Sequence, residues 1–304
     1  MIPESEILFR FERCTRLLHN QKFICALEGN DARIYDRNGT WLHTFQDLKC
    51  AANGAFVADT LLMLKNTTGQ YALFDLEKMT CVRKIKSLRP RVITLDAFVL
   101  TPDHKAFVDL VDVEPGFFLQ DLQTGKVQAF PMDGILLARI FCDEEKKIFY
   151  FLEDLTHMTN PSVWNLYAWE YPFANTSFYK VETIHFPEKL YFAHAAEYRN
   201  GKILCTNYVK ATLFDLQKHD LAFLHATAED QVILQTRWSD NGNFVAILES
   251  SREPEFNEFA VYDVNNHACI QRGLERFLYD IDFWDRDTKL LLDMDEATVC
   301  VRLQ

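Results

Sequence analysis

Glycine is scarce in this sequence, with 10 residues in 304, less than half the usual ~7%. That excludes collagen-like and glycine-rich low-complexity chains. It also sets a tension, because the remaining features point to a fold made of many tight turns. Paired cysteines are missing too. The eight cysteines, at 14, 25, 50, 81, 142, 205, 269 and 300, include no C-x-x-C, which excludes a zinc ribbon and argues against a disulfide scaffold. Free, largely buried thiols in a reducing compartment are the expectation. No apolar run approaches the ~18 residues of a membrane-spanning helix. The start, Met1-Ile2-Pro3-Glu4-Ser5-Glu6, has acids where a signal peptide carries bases and no apolar stretch behind them, so a cytoplasmic protein is expected. Basic charge is short as well. Lys plus Arg number 32 against 44 Asp plus Glu, a net −12. This argues against nucleic acid or an anionic membrane as a general partner. Disorder is excluded by the 48% of hydrophobic residues.

What is abundant is phenylalanine, 25 residues, and a recurring pattern. Helical periodicity is weak throughout. A short β run ending in an aromatic and an acid recurs as Ala32-Arg33-Ile34-Tyr35-Asp36, Tyr71-Ala72-Leu73-Phe74-Asp75, Phe117-Phe118-Leu119-Gln120-Asp121, Asn165-Leu166-Tyr167-Ala168-Trp169-Glu170, Ala211-Thr212-Leu213-Phe214-Asp215 and Phe259-Ala260-Val261-Tyr262-Asp263. A divergent last copy is Ala297-Thr298-Val299-Cys300-Val301. Successive acids lie 39, 46, 49, 45 and 48 residues apart. Periods in the forties with all-β content predict a propeller of four-stranded blades. Between the copies lie strand–turn–strand segments, such as Leu100-Thr101-Pro102-Asp103-His104-Lys105 before Ala106-Phe107-Val108, and Trp238-Ser239-Asp240-Asn241-Gly242-Asn243 before Phe244-Val245-Ala246-Ile247.

These segments resemble the hydrophobic-Ser-Pro-Asp-Gly turn and the Trp-Asp strand end of WD-repeat and related propellers. The run Ile34-Tyr35-Asp36-Arg37-Asn38-Gly39-Thr40-Trp41-Leu42-His43-Thr44-Phe45 resembles them most. The sequence departs from the family in having no Gly-His pair, and Trp284-Asp285 is not at the strand-end position. The resemblance therefore implies a divergent, WD-like all-β propeller along nearly the whole chain. Seven antiparallel blades are expected, near 13–47, 50–88, 92–132, 135–187, 190–230, 232–275 and 277–304, with six blades the alternative. The last blade has only three strands of its own. The unclaimed run Glu6-Ile7-Leu8-Phe9-Arg10-Phe11 is expected to supply its outer strand and so close the ring.

No nucleotide-binding, hydrolase-elbow or zinc-protease motif occurs, and neither a cofactor nor a metal is expected. The acid-rich stretch Asp280–Asp287 with Asp293, Asp295 and Glu296 could hold a hard cation, but turn and rim acids explain it more simply. In this acidic chain the basic run Arg83–Arg91 stands out. Lys86, Arg89 and Arg91 could dock an acidic segment or a phosphate group; equally, they could guard an outer strand against edge pairing. A long connection at 153–162 precedes an aromatic-rich stretch, from which Met158, Trp164 and Tyr171 are candidate contacts. A second long connection, with Arg252 and Phe256, should emerge on the same face. Asp96, Arg139, His194, Glu197, Arg237, Asp280 and Asp282 are the polar candidates for the channel lining. The leading expectation is a monomeric, non-catalytic scaffold that binds a protein or peptide at the channel mouth. The alternative is a hydrolase- or lactonase-like enzyme, or a small-molecule or metal binder, with its site in the channel.

Overall fold

A computed structural model describes residues 2–85, 98–110, 116–156, 158–173 and 178–303. Strand β1 (Ile7–Phe11) comes first and belongs to the last sheet. Blade 1 is β2 (Arg16–His19), β3 (Phe23–Glu28), β4 (Asp31–Asp36) and β5 (Trp41–Phe45). Blade 2 is β6 (Ala51–Ala58), β7 (Leu61–Asn66), β8 (Tyr71–Asp75) and β9 (Thr80–Ile85). Blade 3 is β10 (Val99–Leu100), β11 (Ala106–Leu110), β12 (Gly116–Asp121) and β13 (Val127–Pro131). Blade 4 is β14 (Leu137–Asp143), β15 (Ile148–Asp154), β16 (Val163–Glu170) and β17 (Tyr179–His185). Blade 5 is β18 (Glu197–Arg199), β19 (Lys202–Thr206), β20 (Lys210–Asp215) and β21 (Asp220–Ala226). Blade 6 is β22 (Ile233–Trp238), β23 (Phe244–Ser250), β24 (Phe256–Asp263) and β25 (Cys269–Arg276). Blade 7 is β26 (Leu278–Trp284), β27 (Lys289–Met294), β28 (Thr298–Arg302) and, on the outside, β1.

Seven four-stranded antiparallel sheets thus form a ring, and six blades are excluded. The N-terminal strand pairs with β28, with Phe9 opposite Cys300 and Phe11 opposite Thr298, so the two ends of the chain share one blade. The expected closure is what the fold contains.

The recurring strand-end acid has a local cause. Asp36, Asp75, Asp121, Asp215 and Asp263 each end the third strand of a blade, and one carboxylate oxygen accepts backbone N–H groups of the turn that follows. Such Asx-type turns let a short polar side chain replace missing ladder partners.

The glycine shortage is resolved at the same turns. Gly125, four residues past Asp121, has φ +74°. At the matching places after Asp75, Asp215 and Asp263 stand Met79 (φ +50°), His219 (φ +55°) and His267 (φ +58°). Side-chain-bearing residues are therefore held in the left-handed region, which costs ~1–2 kcal/mol each. His267 is exposed. His267→Gly should stabilise the protein by about 0.5–1 kcal/mol, the relief being partly offset by glycine's freer unfolded state. A urea midpoint that falls would contradict this.

One apolar cluster fills each gap between neighbouring blades. Phenylalanine is concentrated there. Between blades 3 and 4, Phe117 meets Phe130, Phe151, Trp169 and Phe173 with ring centroids 4.6–5.8 Å apart. Flat rings suit a gap between two twisted sheets, where large area must be buried at low side-chain entropy. All eight cysteines are free thiols, four of them buried, whereas Cys50 and Cys269 are exposed.

Because neighbours are antiparallel, successive connections alternate between the two ends of a blade. First-to-second and third-to-fourth turns leave on one side of the ring. Second-to-third turns and the blade-to-blade connections leave on the other, hereafter the channel-mouth face.

Candidate functional site

The inner strands surround a cavity of about 760 Å³. Arg16 and His19 reach it from β2, Asn53 from β6, Val99 from β10, Arg139 from β14, Glu197 from β18, Arg237 from β22 and Asp282 from β26. All seven blades therefore contribute to one channel.

Four inner strands carry a bulge near their start. The register slips between Ala51 and Asn53 in β6, Leu137 and Arg139 in β14, Ile233 and Gln235 in β22, and Leu278 and Asp280 in β26. A bulge re-aims side chains by putting two residues opposite one. The residue past each slip is polar: Asn53, Arg139, Gln235 and Asp280. Of the skipped residues, Leu234 and Tyr279 are left 50% and 47% exposed, on strands whose alternation would otherwise hide one face.

Opposite charges in the channel are matched across blades. The Arg237 guanidinium lies 3.8 Å from the Glu197 carboxylate of blade 5 and 3.6 Å from that of Asp280 in blade 7. Gln235 Nε2 donates to Asp280 Oδ1 at 2.5 Å, and the Trp238 backbone N–H donates to Glu197 Oε2 at 3.1 Å. Burial pushes the Glu197 and Asp280 carboxyls up, against the pull of Arg237. His19 Nε2 is 3.5 Å from Asp282 Oδ2, and the His19 ring sits edge-on to Trp284 at 5.2 Å. Burial alone would lower the His19 pKa, but the Asp282 charge and hydrogen bond outweigh it and raise it. Burial likewise works to raise Asp282, and His19 holds it below the ordinary carboxylate value. Blades 5, 6, 7 and 1 are thereby joined at the axis by charged side chains.

Of the residues expected in the channel, Arg139, His194, Glu197, Arg237 and Asp282 line the cavity, and Asp280 touches it through Arg237. Asp96 lies outside the described residues. Sequence reasoning missed His19. Its signal was position: it closes the inner run Arg16-Leu17-Leu18-His19 as Asp282 nearly closes that of blade 7. The acid-rich stretch does not gather into one place. Asp280 and Asp282 face the channel, Asp287 accepts the backbone N–H groups of Asp240 and Asn241, and Asp293 accepts from Thr298 Oγ1 at 2.6 Å and the Cys14 N–H at 3.0 Å. Among the described residues, no group of three or more His, Cys, Asp or Glu is arranged to hold a metal.

The surface candidates divide. Met158 is 72% exposed in the second-to-third connection of blade 4. Arg252 and Phe256 stand at the equivalent connection of blade 6, on the same channel-mouth face, where the Arg252 guanidinium donates to the Glu229 carbonyl at 3.0 Å. Trp164 does not belong with them. It is fully buried, 4.5 Å from the Phe186 ring, because its place on β16 points it into the gap between blades 4 and 5. Tyr171 lies past the end of β16, on the opposite face, with its hydroxyl 3.2 Å from the Asp103 carboxylate. Lys86, Arg89 and Arg91 lie outside the described residues.

Solved structures share this architecture. The β-propeller domain of Cps50 (Swd1) from Myceliophteria thermophila superposes with a TM-score of 0.72 at 11% identity, covering 97% of this chain and 99% of that one. The C-terminal WD40 domain of Sif2 gives 0.62 at 12% identity, covering 97% and 82%. The chain has the fold of a WD40 propeller. No family model and no curated protein matches its sequence. At 11–12% identity the likeness extends to the fold alone.

Proposed function

We propose that this WD40-like propeller is a non-catalytic, cytoplasmic scaffold that binds another protein or peptide on its channel-mouth face. One observation carries the reading. Fifteen large hydrophobic side chains are exposed among the described residues. Seven of them (Leu8, Trp41, Leu42, Val82, Tyr179, Phe223 and Ile270) lie on outer strands. The other eight all lie on the channel-mouth face, in its connections or at the first residues of inner strands: Leu136, Met158, Leu190, Tyr208, Val209, Val232, Leu234 and Tyr279. None lies in a described connection of the opposite face. Apolar side chains scattered singly need no explanation, but a one-sided set around a cavity mouth marks a binding surface. The matched charges within the channel act, on this reading, as staples between inner strands rather than as reagents. A rigid disc holds its loops in fixed places, and binding residues concentrate on such loops.

The test compares capture from a lysate of the source cells by the wild type, a Tyr208→Glu/Leu234→Glu variant, and an opposite-face control, Asn265→Glu. Both altered positions on the mouth are about half exposed, so the variant should keep its melting temperature. Loss of ~2 kcal/mol at a hot spot corresponds to a fall of tenfold or more in binding. The same proteins should be held by wild type and control and lost by the variant. Equal recovery by all three would refute the reading.

A further inference from the structure

The exposed apolar side chains of the channel-mouth face are densest at blade 5, where three connections meet. The Phe192 N–H donates to the Thr206 carbonyl at 3.0 Å, the Ile233 N–H to the Tyr208 carbonyl at 2.7 Å, and the Thr227 N–H to the Val209 carbonyl at 2.9 Å. The Phe192 and Tyr208 rings meet edge-on at 4.8 Å. Leu190, Tyr208, Val209, Val232 and Leu234 are therefore one surface, 38–55% exposed residue by residue, and Phe192, Tyr208 and Leu234 continue it into the cavity.

Its surroundings are acidic in a specific way. On the blade 6 side the patch is bordered by the exposed Glu229, Asp230, Glu253 and Glu255. Two of the basic side chains nearby are neutralised: Lys210 is paired with Glu188, and Arg276 holds Glu255 at 2.6 Å. The Arg252 guanidinium is held in place by the Glu229 carbonyl and keeps its charge, and the exposed Lys189 stands on the other side of the patch, next to Leu190, so the acidic excess is confined to Glu229, Asp230 and Glu253. The connection bearing Glu229 and Asp230 contains no base. It is also fixed in place: Thr227 Oγ1 donates to the Gln231 carbonyl at 3.0 Å, and the Gln231 amide, 6% exposed, donates to the Ser250 carbonyl at 2.8 Å. Acids held on a rigid loop beside an apolar surface present charge without an ordering cost.

We propose that this patch receives a peptide segment in which Lys or Arg flanks leucine-like or aromatic side chains. The proposal rests on the reading of the channel-mouth face as a docking surface and names the chemistry of its partner. The apolar residues of such a segment would cover Tyr208 and Leu234, and its cations would face Glu229, Asp230 and Glu253. The net charge of −12 favours its approach from a distance. An acidic segment would meet like charge at Glu229, Asp230 and Glu253, which is the stronger part of the discrimination.

The probe is a displayed library of random 12-residue peptides, selected on the full-length protein. Enriched peptides should carry Lys or Arg within three positions of Leu, Ile, Phe or Tyr. The best of them, as a labelled synthetic peptide, should bind Glu229→Lys/Asp230→Lys at least tenfold more weakly, should lose affinity as salt rises, and should lose at least tenfold on Leu234→Glu. Melting temperatures of the three proteins establish that all are folded. Acid-rich or charge-neutral peptides that lose binding on Leu234→Glu but not on Glu229→Lys/Asp230→Lys would overturn the basic partner and leave the docking face standing. Peptides indifferent to Leu234→Glu, or no enrichment at all, would overturn the patch itself.

Discussion

Lys65→Met should destabilise the protein by about 3–5 kcal/mol, the loss expected when one partner of a buried ion pair is removed. Lys65 and Asp109 are both fully buried where blades 2 and 3 meet, with Nζ 2.6 Å from Oδ2. The Tyr71 hydroxyl donates to the same carboxylate oxygen, and the Leu110 N–H to the other at 2.8 Å. The ammonium also lies 5.7 Å from the Tyr71 ring centroid and 5.9 Å from that of Phe98, where ring faces favour a cation. Burial raises the Asp109 carboxyl even with Lys65 beside it. Without Lys65 the group would have to stay charged in an apolar gap or take up a proton, and either course is costly. The triple change Lys65→Met/Asp109→Leu/Tyr71→Phe should recover most of the loss, because it leaves no polar group stranded. Urea unfolding of the three proteins measures both effects. A Lys65→Met variant within about 1 kcal/mol of wild type would show that the pair is not needed to hold the blades together.

The second large effect is pH-dependent. His19→Gln should cost about 2–3 kcal/mol near pH 6, less than a fully enclosed pair would, because the His19 and Asp282 side chains keep 9% and 15% of their exposure in the channel. The His19 pKa is raised from 6.5. Its share of the stability is therefore complete below pH 6.5 and is lost as pH rises through the raised value. The Asp282 pKa is lowered from 3.8, so its share is present above pH 3.8 and is lost as pH falls through the depressed value. Between those limits blades 7 and 1 are held at the axis by an ion pair. Asp240 and Asp287 reinforce the imidazolium from farther away. Wild-type stability should decline from pH 6.5 upwards, and the His19→Gln variant should not share that decline. Parallel urea midpoints for the two proteins from pH 6 to pH 9 would remove His19 as the cause.

Several residues of the candidate site show where a linear pattern stops being informative. Asn53 and Gln235 line the channel just past bulges and were not among its expected residues; a bulge leaves no mark on an alternating sequence because it needs only one extra residue on one strand. Such slips also expose Leu234, between half-buried neighbours, and Tyr279, between buried ones. Trp164 has the composition of a binding anchor, yet an aromatic on the third strand of a blade faces whichever neighbouring sheet the twist brings against it. Tyr171 and Met158 are only 13 positions apart, but an eight-residue strand carries the chain from one face of the ring to the other between them.

The blade count, the closing N-terminal strand and the strand-end aspartates were legible in the sequence alone. Each depends on a local cause repeated with a period: alternation builds a strand, an acid caps its turn, and an unpaired run must find an edge. Even the glycine shortage follows from the sequence once those turns are located, since Met79, His219 and His267 stand where a glycine would be easier to accommodate. Only the tertiary structure decided which charges meet. Lys65 finds Asp109 44 residues away, Arg237 finds both Glu197 and Asp280, and His19 finds Asp282 across the seam where the ring closes. Contacts between blades depend on how seven sheets pack around one axis, and no period within the chain encodes that packing. The one-sided apolar surface at the channel mouth has the same origin. Leu190, Tyr208 and Leu234 are unremarkable in sequence and become a surface only when three connections are brought side by side.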